Sequence, residues 1–172
     1  MPLTLIKETG AGLVDANSYA SVADGDAYHA GHLYASAWTA ATADQKAVAL
    51  VMATRLMDAE YQFGGVKAKA GQALQWPRRQ CRIPDQEDEL PDDAVPKAVV
   101  DAACELAREL LIADRTAAPP GEGQKYYNNA GVQTGYDKTD TRPIIPKLVQ
   151  AMLAKYGALI SAKSGTVRLV RV

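Results

Sequence analysis

Histidine and cysteine are scarce in this chain of 172 residues, with two of each, and a single Phe accompanies two Trp. So few histidines leave little capacity for proton transfer near neutral pH. Gly-x-Ser-x-Gly and His-Glu-x-x-His are absent, and Gly121-Glu122-Gly123-Gln124-Lys125 lacks the Gly-Lys-Ser/Thr ending of a phosphate-binding loop. Neither an enzyme nor a cofactor is expected. His29 and His32 with Asp26 could line one helical face, but without a fourth donor they make a poor zinc set. Cys81 and Cys104 do not form a Cys-x-x-Cys pair, so Cys104 reads as core packing rather than redox chemistry. The acidic run from Asp85 to Asp93 lacks the glycine and alternating oxygens of a calcium loop. A strong charge of either sign is missing too: the formal net charge is -1, which gives no global pull toward nucleic acid. Any DNA contact must be local. The longest apolar run, 47–53, is far short of the ~20 residues that span a bilayer, so no membrane segment is expected. The first residues carry no basic-then-apolar leader, which reads as synthesis in a reducing cytosol.

What is present is Ala-rich, 48% hydrophobic sequence that predicts a mainly α fold, a small bundle of about four helices in one domain. Residues 3–6 suggest a short strand. Ser21 with Asp24 at N3 caps a helix to about His29, weakened by Gly25. Thr42 and Gln45 have the spacing of a capping box, opening a helix with Val48, Met52, Leu56 and Ala59 on one face and Leu50, Val51 and Met57 widening it. That helix reads as the buried centre. A third helix, capped by Asp92 or Asp93 with Pro96 in its first turn, spaces Val95, Val99, Ala103, Leu106, Leu110 and Ala113 inward and Lys97, Asp101, Glu105, Arg108 and Glu109 outward. A last helix from about 143–146 carries Ile145, Leu148, Met152, Tyr156 and Leu159. The helical core thus covers about 17–115 and 143–160. Between them, 116–142 reads as a long loop or a β-hairpin turning at Asn128-Asn129-Ala130-Gly131, and 161–172 as an extended arm.

Trp76 and Pro77 look like a structural pin, because Pro fixes its own φ and biases Trp76 toward an extended conformation, so that a large apolar side chain projects from a rigid bend. Trp38 is placed at the other side of the bundle. Tyr126, Tyr127 and Tyr136 interleaved with Lys125, Lys138 and Arg142 could stack on bases while touching phosphates, or could anchor a protein contact. The slight negative charge ranks the protein contact first.

Read together, Ala16-Asn17-Ser18-Tyr19, Tyr28-His29, Trp38, Ala53-Thr54-Arg55, Leu56-Met57-Asp58, Leu74-Gln75-Trp76-Pro77-Arg78, Ile83-Pro84 and Val95-Pro96 resemble a family of tailed-phage proteins. Its members are often labelled DnaT-like single-stranded-DNA-binding proteins, and they are similar in layout to the head–tail adaptor, or head-completion, proteins of phage necks. The likeness runs in order over about 11–160. It implies a structural virion protein made in the bacterial host cytoplasm, whose copies close into a dodecameric ring between the portal and the tail or next neck protein. Such a ring lines the DNA channel and touches passing DNA weakly. The alternative that the label implies is a single-stranded-DNA-binding protein using the Tyr/Lys/Arg loop. A ring needs two different faces that complement one another. Basic Arg78, Arg79 and Arg82 and acidic Asp85, Glu87 and Asp88 are the candidates for those faces. The arm, with Val167, Arg168, Leu169, Val170 and Arg171, is expected to add as a strand to a neighbouring copy or to the portal.

Overall fold

The computed structural model describes residues 3–83, 87–118, 126–129, 132–135 and 142–160, the strands 126–129 and 132–135 by their backbone. Helices α1 (Val22–Ala30), α2 (Ser36–Thr39), α3 (Ala43–Glu60), α4 (Lys97–Ile112) and α5 (Lys147–Leu153) make the bulk, with α4 in the middle, packed on each of the others. Among the described residues, three two-stranded pieces decorate it: β1 (Tyr61–Phe63) with β6 (Gly157–Leu159), β2 (Val66–Lys67) with β3 (Arg78–Arg79), and β4 (Tyr126–Asn129) with β5 (Val132–Gly135). The fold is therefore mixed but mainly helical. No helix among the described residues is long and apolar enough to cross a membrane.

Both capping boxes form. Ser21 Oγ accepts from Asp24 N while Ser21 N donates to Asp24 Oδ2 at 2.7 Å, and Thr42 and Gln45 repeat the exchange at the start of α3. Each box satisfies backbone donors that a helix start leaves open, so these two starts were readable from spacing alone.

The buried face of α3 differs from the expected stripe. Val48 is 54% exposed and Ala59 is exposed, whereas Ala49, Leu50, Ala53, Thr54 and Met57 are buried. Apolar residues occupy nearly every side of α3 between 47 and 53, so periodicity could not choose a face. Small side chains chose it: α4 brings Ala102, Ala103 and Ala107 into the same core, and closely packed helices favour alanine at the seam.

Helix α4 also departs from expectation. Pro96, in an extended conformation, is its N-cap, and Asp92 and Asp93 lie before it. Glu105 and Arg108, read as water-facing, are buried because α1 and α2 cover that side. Lys97, in the first turn and beyond that cover, stays exposed.

Toward the chain's end, α5 stops at Leu153, and 157–159 pairs antiparallel with β1 instead of continuing the helix, Phe63 opposite Gly157 and Tyr61 opposite Leu159. A Cβ at Gly157 would sit 2.5 Å from Gln62 O, so only glycine lets the two backbones approach. Val149 and Leu153 form the buried side of α5, with Ile145 buried just before it, while Leu148 is 53% exposed. Residues 3–6 make no strand; Lys7 forms one parallel bridge with Ser18, and Asn17 Oδ1 takes the N–H of Ile6.

Candidate functional site

Among the described residues, two places gather side-chain hydrogen bonds between segments distant in sequence: the Trp76 bend and the base of the excursion that carries β4 and β5. At the first, Trp76 is fully buried, edge-on to Phe63 and Tyr156 with centroid separations of 5.7 and 6.1 Å, and its peptide bond to the buried Pro77 is cis. The bend is tied to the first half of the chain by a buried polar node. Tyr19 Oη donates to Asp58 Oδ1, and the backbone N–H of Gln75 donates to Asp58 Oδ2 at 3.0 Å and to Tyr19 Oη at 3.1 Å. The segment before α1, the end of α3 and the bend therefore meet at one carboxylate.

Burial pushes the Asp58 carboxyl up to about 6, against hydrogen bonds from Tyr19 and Gln75 that pull it down. The folded state then holds a proton that the unfolded chain releases near pH 4. The stabilising contribution is complete below pH 4 and is lost as pH rises through about 6. Comparison with Asp58→Asn isolates this term from the other carboxylates. Between pH 4.5 and 7.5 the wild type should lose about 2 kcal/mol relative to the variant in urea unfolding. Parallel pH profiles for the two proteins would refute the assignment.

Arg78 sits in the same region but faces inward. Its guanidinium is buried and makes five hydrogen bonds, to the carbonyls of Phe63, Gly64, Gly65 and Gln75 and to Gln75 Oε1. That corrects its assignment to a subunit interface: a chain leaving β1 and turning through Gly64-Gly65 exposes carbonyls that need a donor, and Arg78 supplies it. Arg79 and Arg82 remain exposed, Arg82 lying 3.5 Å from Glu89; Glu87 and Asp88 are exposed as well, and Asp85 lies outside the described residues.

At the hairpin base, the chain leaving α4 and the chain returning to α5 are stitched together by two arginines. Arg115 donates to Ile144 O at 3.0 Å and Pro143 O at 2.9 Å, and Arg142 donates to Asp114 O at 2.6 Å. Arg142, expected to contact DNA or tail, is thus engaged by backbone carbonyls. A chain of ion pairs runs from here into the core: Arg115 to Glu109 at 3.1 Å, Glu109 to Arg108 at 2.6 Å, and Arg108 to the buried Glu105 at 2.6 Å. His32 Nε2 and Tyr28 Oη each lie 3.5 Å from Glu105 Oε2. Beyond the base, β4 and β5 pair with Tyr126 opposite Gly135, Tyr127 opposite Thr134 and Asn129 opposite Val132, the hairpin that the Asn-Asn-Ala-Gly turn predicts. Lys125, Tyr136 and Lys138 lie outside the described residues, as do Val167, Arg168, Leu169, Val170 and Arg171.

The remaining histidine, His29, is buried against Trp38 with its Nε2 3.1 Å from Cys104 O, so it packs α1 on α4. Burial lowers its pKa, which favours the neutral ring. Cys104 is buried and its thiol is pushed up to about 12 by desolvation. Glu8, which the sequence reading passed over, is buried and accepts the N–H groups of Gly10, Gly12 and Leu13 at 2.8–2.9 Å, ordering the loop before Ala16. Its signal was the acid set two residues before Gly-Ala-Gly, where successive N–H groups converge.

Residues 3–172 match the family model described as "Putative DnaT-like ssDNA binding protein". The chain belongs to that family. The match takes in both the Trp76 bend and the hairpin. No curated protein and no solved structure gives a significant match. Among the described residues, what the fold provides is a helical body in which the chain leaving α4 and the chain returning to α5 are tied together, on either side of the stretch that contains β4 and β5.

Proposed function

We propose that the protein is a structural subunit of a tailed-phage neck, a head–tail adaptor whose copies close into a dodecameric ring between the portal and the tail and line the DNA channel. The observation that carries this reading is the clamp at the base of the 116–142 excursion. Arg115 and Arg142 bind the chain leaving α4 to the chain entering α5 through backbone carbonyls, and the ion pairs through Glu109 and Arg108 tie that clamp to the core. Bringing the two chain ends of the 116–142 excursion together lowers the ordering cost when that excursion meets another chain. Exposed Arg79 and Arg82, and exposed Glu87 and Asp88, offer charges of both signs to successive copies, and the arm 161–172 would extend to a neighbour or the portal.

The family description favours a second reading, binding of single-stranded DNA through Tyr126, Tyr127 and Tyr136 with Lys125 and Lys138. Against it stand the net charge of -1 and the engagement of Arg142 with the backbone. Electron microscopy of the full chain mixed with its cognate portal separates the two. Rings capping the portal are the expected result, together with only weak, salt-sensitive anisotropy change on a labelled oligonucleotide. Tight oligonucleotide binding that falls steeply with salt and is lost when the three tyrosines become alanine, without rings, would overturn the adaptor reading.

A further inference from the structure

A groove of about 500 Å³ lies between the first half of α3 and the C-terminal end of α4. Val48, Met52, Leu110 and Leu111 give it an apolar surface, and Asp44 and Asp114 are the charged residues that line it. Val48 stays 54% exposed on a helix whose next turn is core. We propose that this groove is the seat of the chain's own segment 167–171.

Three observations select that occupant. The first is composition: Val167, Leu169 and Val170 match the apolar surface in a stretch short enough to lie along it. The second is charge. Segment 161–172 carries Lys163, Arg168 and Arg171 and no acidic side chain, whereas both charged residues of the groove are carboxylates. Asp114 is set in place by the Thr116 N–H and hydroxyl at 2.8 and 2.7 Å. The third is reach. Ile160 N donates to Glu60 O at 2.8 Å, so the arm departs from the C-terminal end of α3. Val48 stands twelve positions earlier on that helix, roughly 18 Å back along its axis at 1.5 Å per residue. Seven residues can span at most about 23 Å, so 161–167 are long enough for Val167 to reach the groove and for 168–171 to lie along it. A tether of that length gives the segment a high effective concentration at its own groove compared with any other copy in dilute solution.

The arm must leave this seat before it can pair with another chain, so docking and release become one event. The seat does not depend on the adaptor reading, because it is tested in the isolated full chain and rings are tested by microscopy.

Cysteines placed by Met52→Cys and Leu169→Cys in the full-length protein, oxidised mildly at low protein concentration, test it. Peptide mass mapping should find the disulfide within one chain, forming at least ~10-fold faster than in a Val14→Cys/Leu169→Cys control whose loop position is exposed. Arg168→Glu with Arg171→Glu should slow the 52–169 link by about fivefold or more. A link between two chains would assign the groove to a second copy and overturn the proposal. So would a rate equal to the control, or one indifferent to the charge reversal.

Discussion

Replacing Arg78 with methionine should cost about 3–5 kcal/mol of folding stability, the largest single effect expected outside the apolar core. Methionine keeps an unbranched stem but ends short of the guanidinium, so the loss combines the missing hydrogen bonds with the space the group filled. The carbonyls of Phe63, Gly64, Gly65 and Gln75 all accept from this one guanidinium, and three of those bonds are 3.0 Å or shorter. Without it they face apolar neighbours, since Trp76, Phe63 and Cys81 are buried around the same bend. Arg78→Lys should recover only part of the loss. An ammonium has three donors at a point, whereas the guanidinium presents five in a plane, and here all five are used. Urea unfolding of the isolated chain is the readout. A neighbour-facing arginine would behave oppositely, leaving the single chain's stability unchanged and weakening only assembly, so a loss below about 1 kcal/mol for Arg78→Met would return Arg78 to the interface.

The same residue marks the boundary of what could be read in advance. Leu74-Gln75-Trp76-Pro77-Arg78 announced a rigid bend with a buried indole, because a Trp before Pro has few other uses in a charged loop. That an adjacent arginine would turn inward was invisible. It depends on where the Gly64-Gly65 carbonyls end up, a consequence of β1 pairing with β6 from the far end of the chain. Glu105 and Arg108 failed for a related reason. Helical period separates an apolar side from a polar one, but it does not report that α1 and α2 will cover the polar side as well. Local signals fared better. The capping boxes at Ser21 and Thr42 and the hairpin at Asn128-Asn129 involve residues within a few positions of one another, so tertiary context had little to override. The candidate site divides along the same line: the hairpin was legible, while the clamp of Arg115 and Arg142 spans 28 positions and left no local trace.

Gly25→Ala should destabilise the protein by about 2 kcal/mol, although helix propensity alone argues for a gain of about 1 kcal/mol. The reason is Trp38. A Cβ at position 25 would lie 2.3 Å from Cζ2 and 2.6 Å from Cη2 of the indole. The ring has nowhere to retreat: His29 packs on it at 4.8 Å, its Nε1 donates to Asp26 at 2.8 Å, and Lys46 from α3 lies 5.2 Å over its face while also pairing with Asp26. Glycine inside α1 is therefore the complement of tryptophan in α2, and its apparent weakness as a helix former is the condition for docking those two helices. Gly31→Ala supplies the contrast, because the nearest atom to its added Cβ is at 3.9 Å, so it should be neutral or slightly stabilising. The decisive measurement is a double-mutant cycle in urea. In a Trp38→Leu background Gly25→Ala should change sign and stabilise, since the obstructing ring is gone and only propensity remains. A Gly25→Ala protein at least as stable as wild type, or an unchanged penalty once Trp38 is removed, would show that α1 and α2 are not held together in this way.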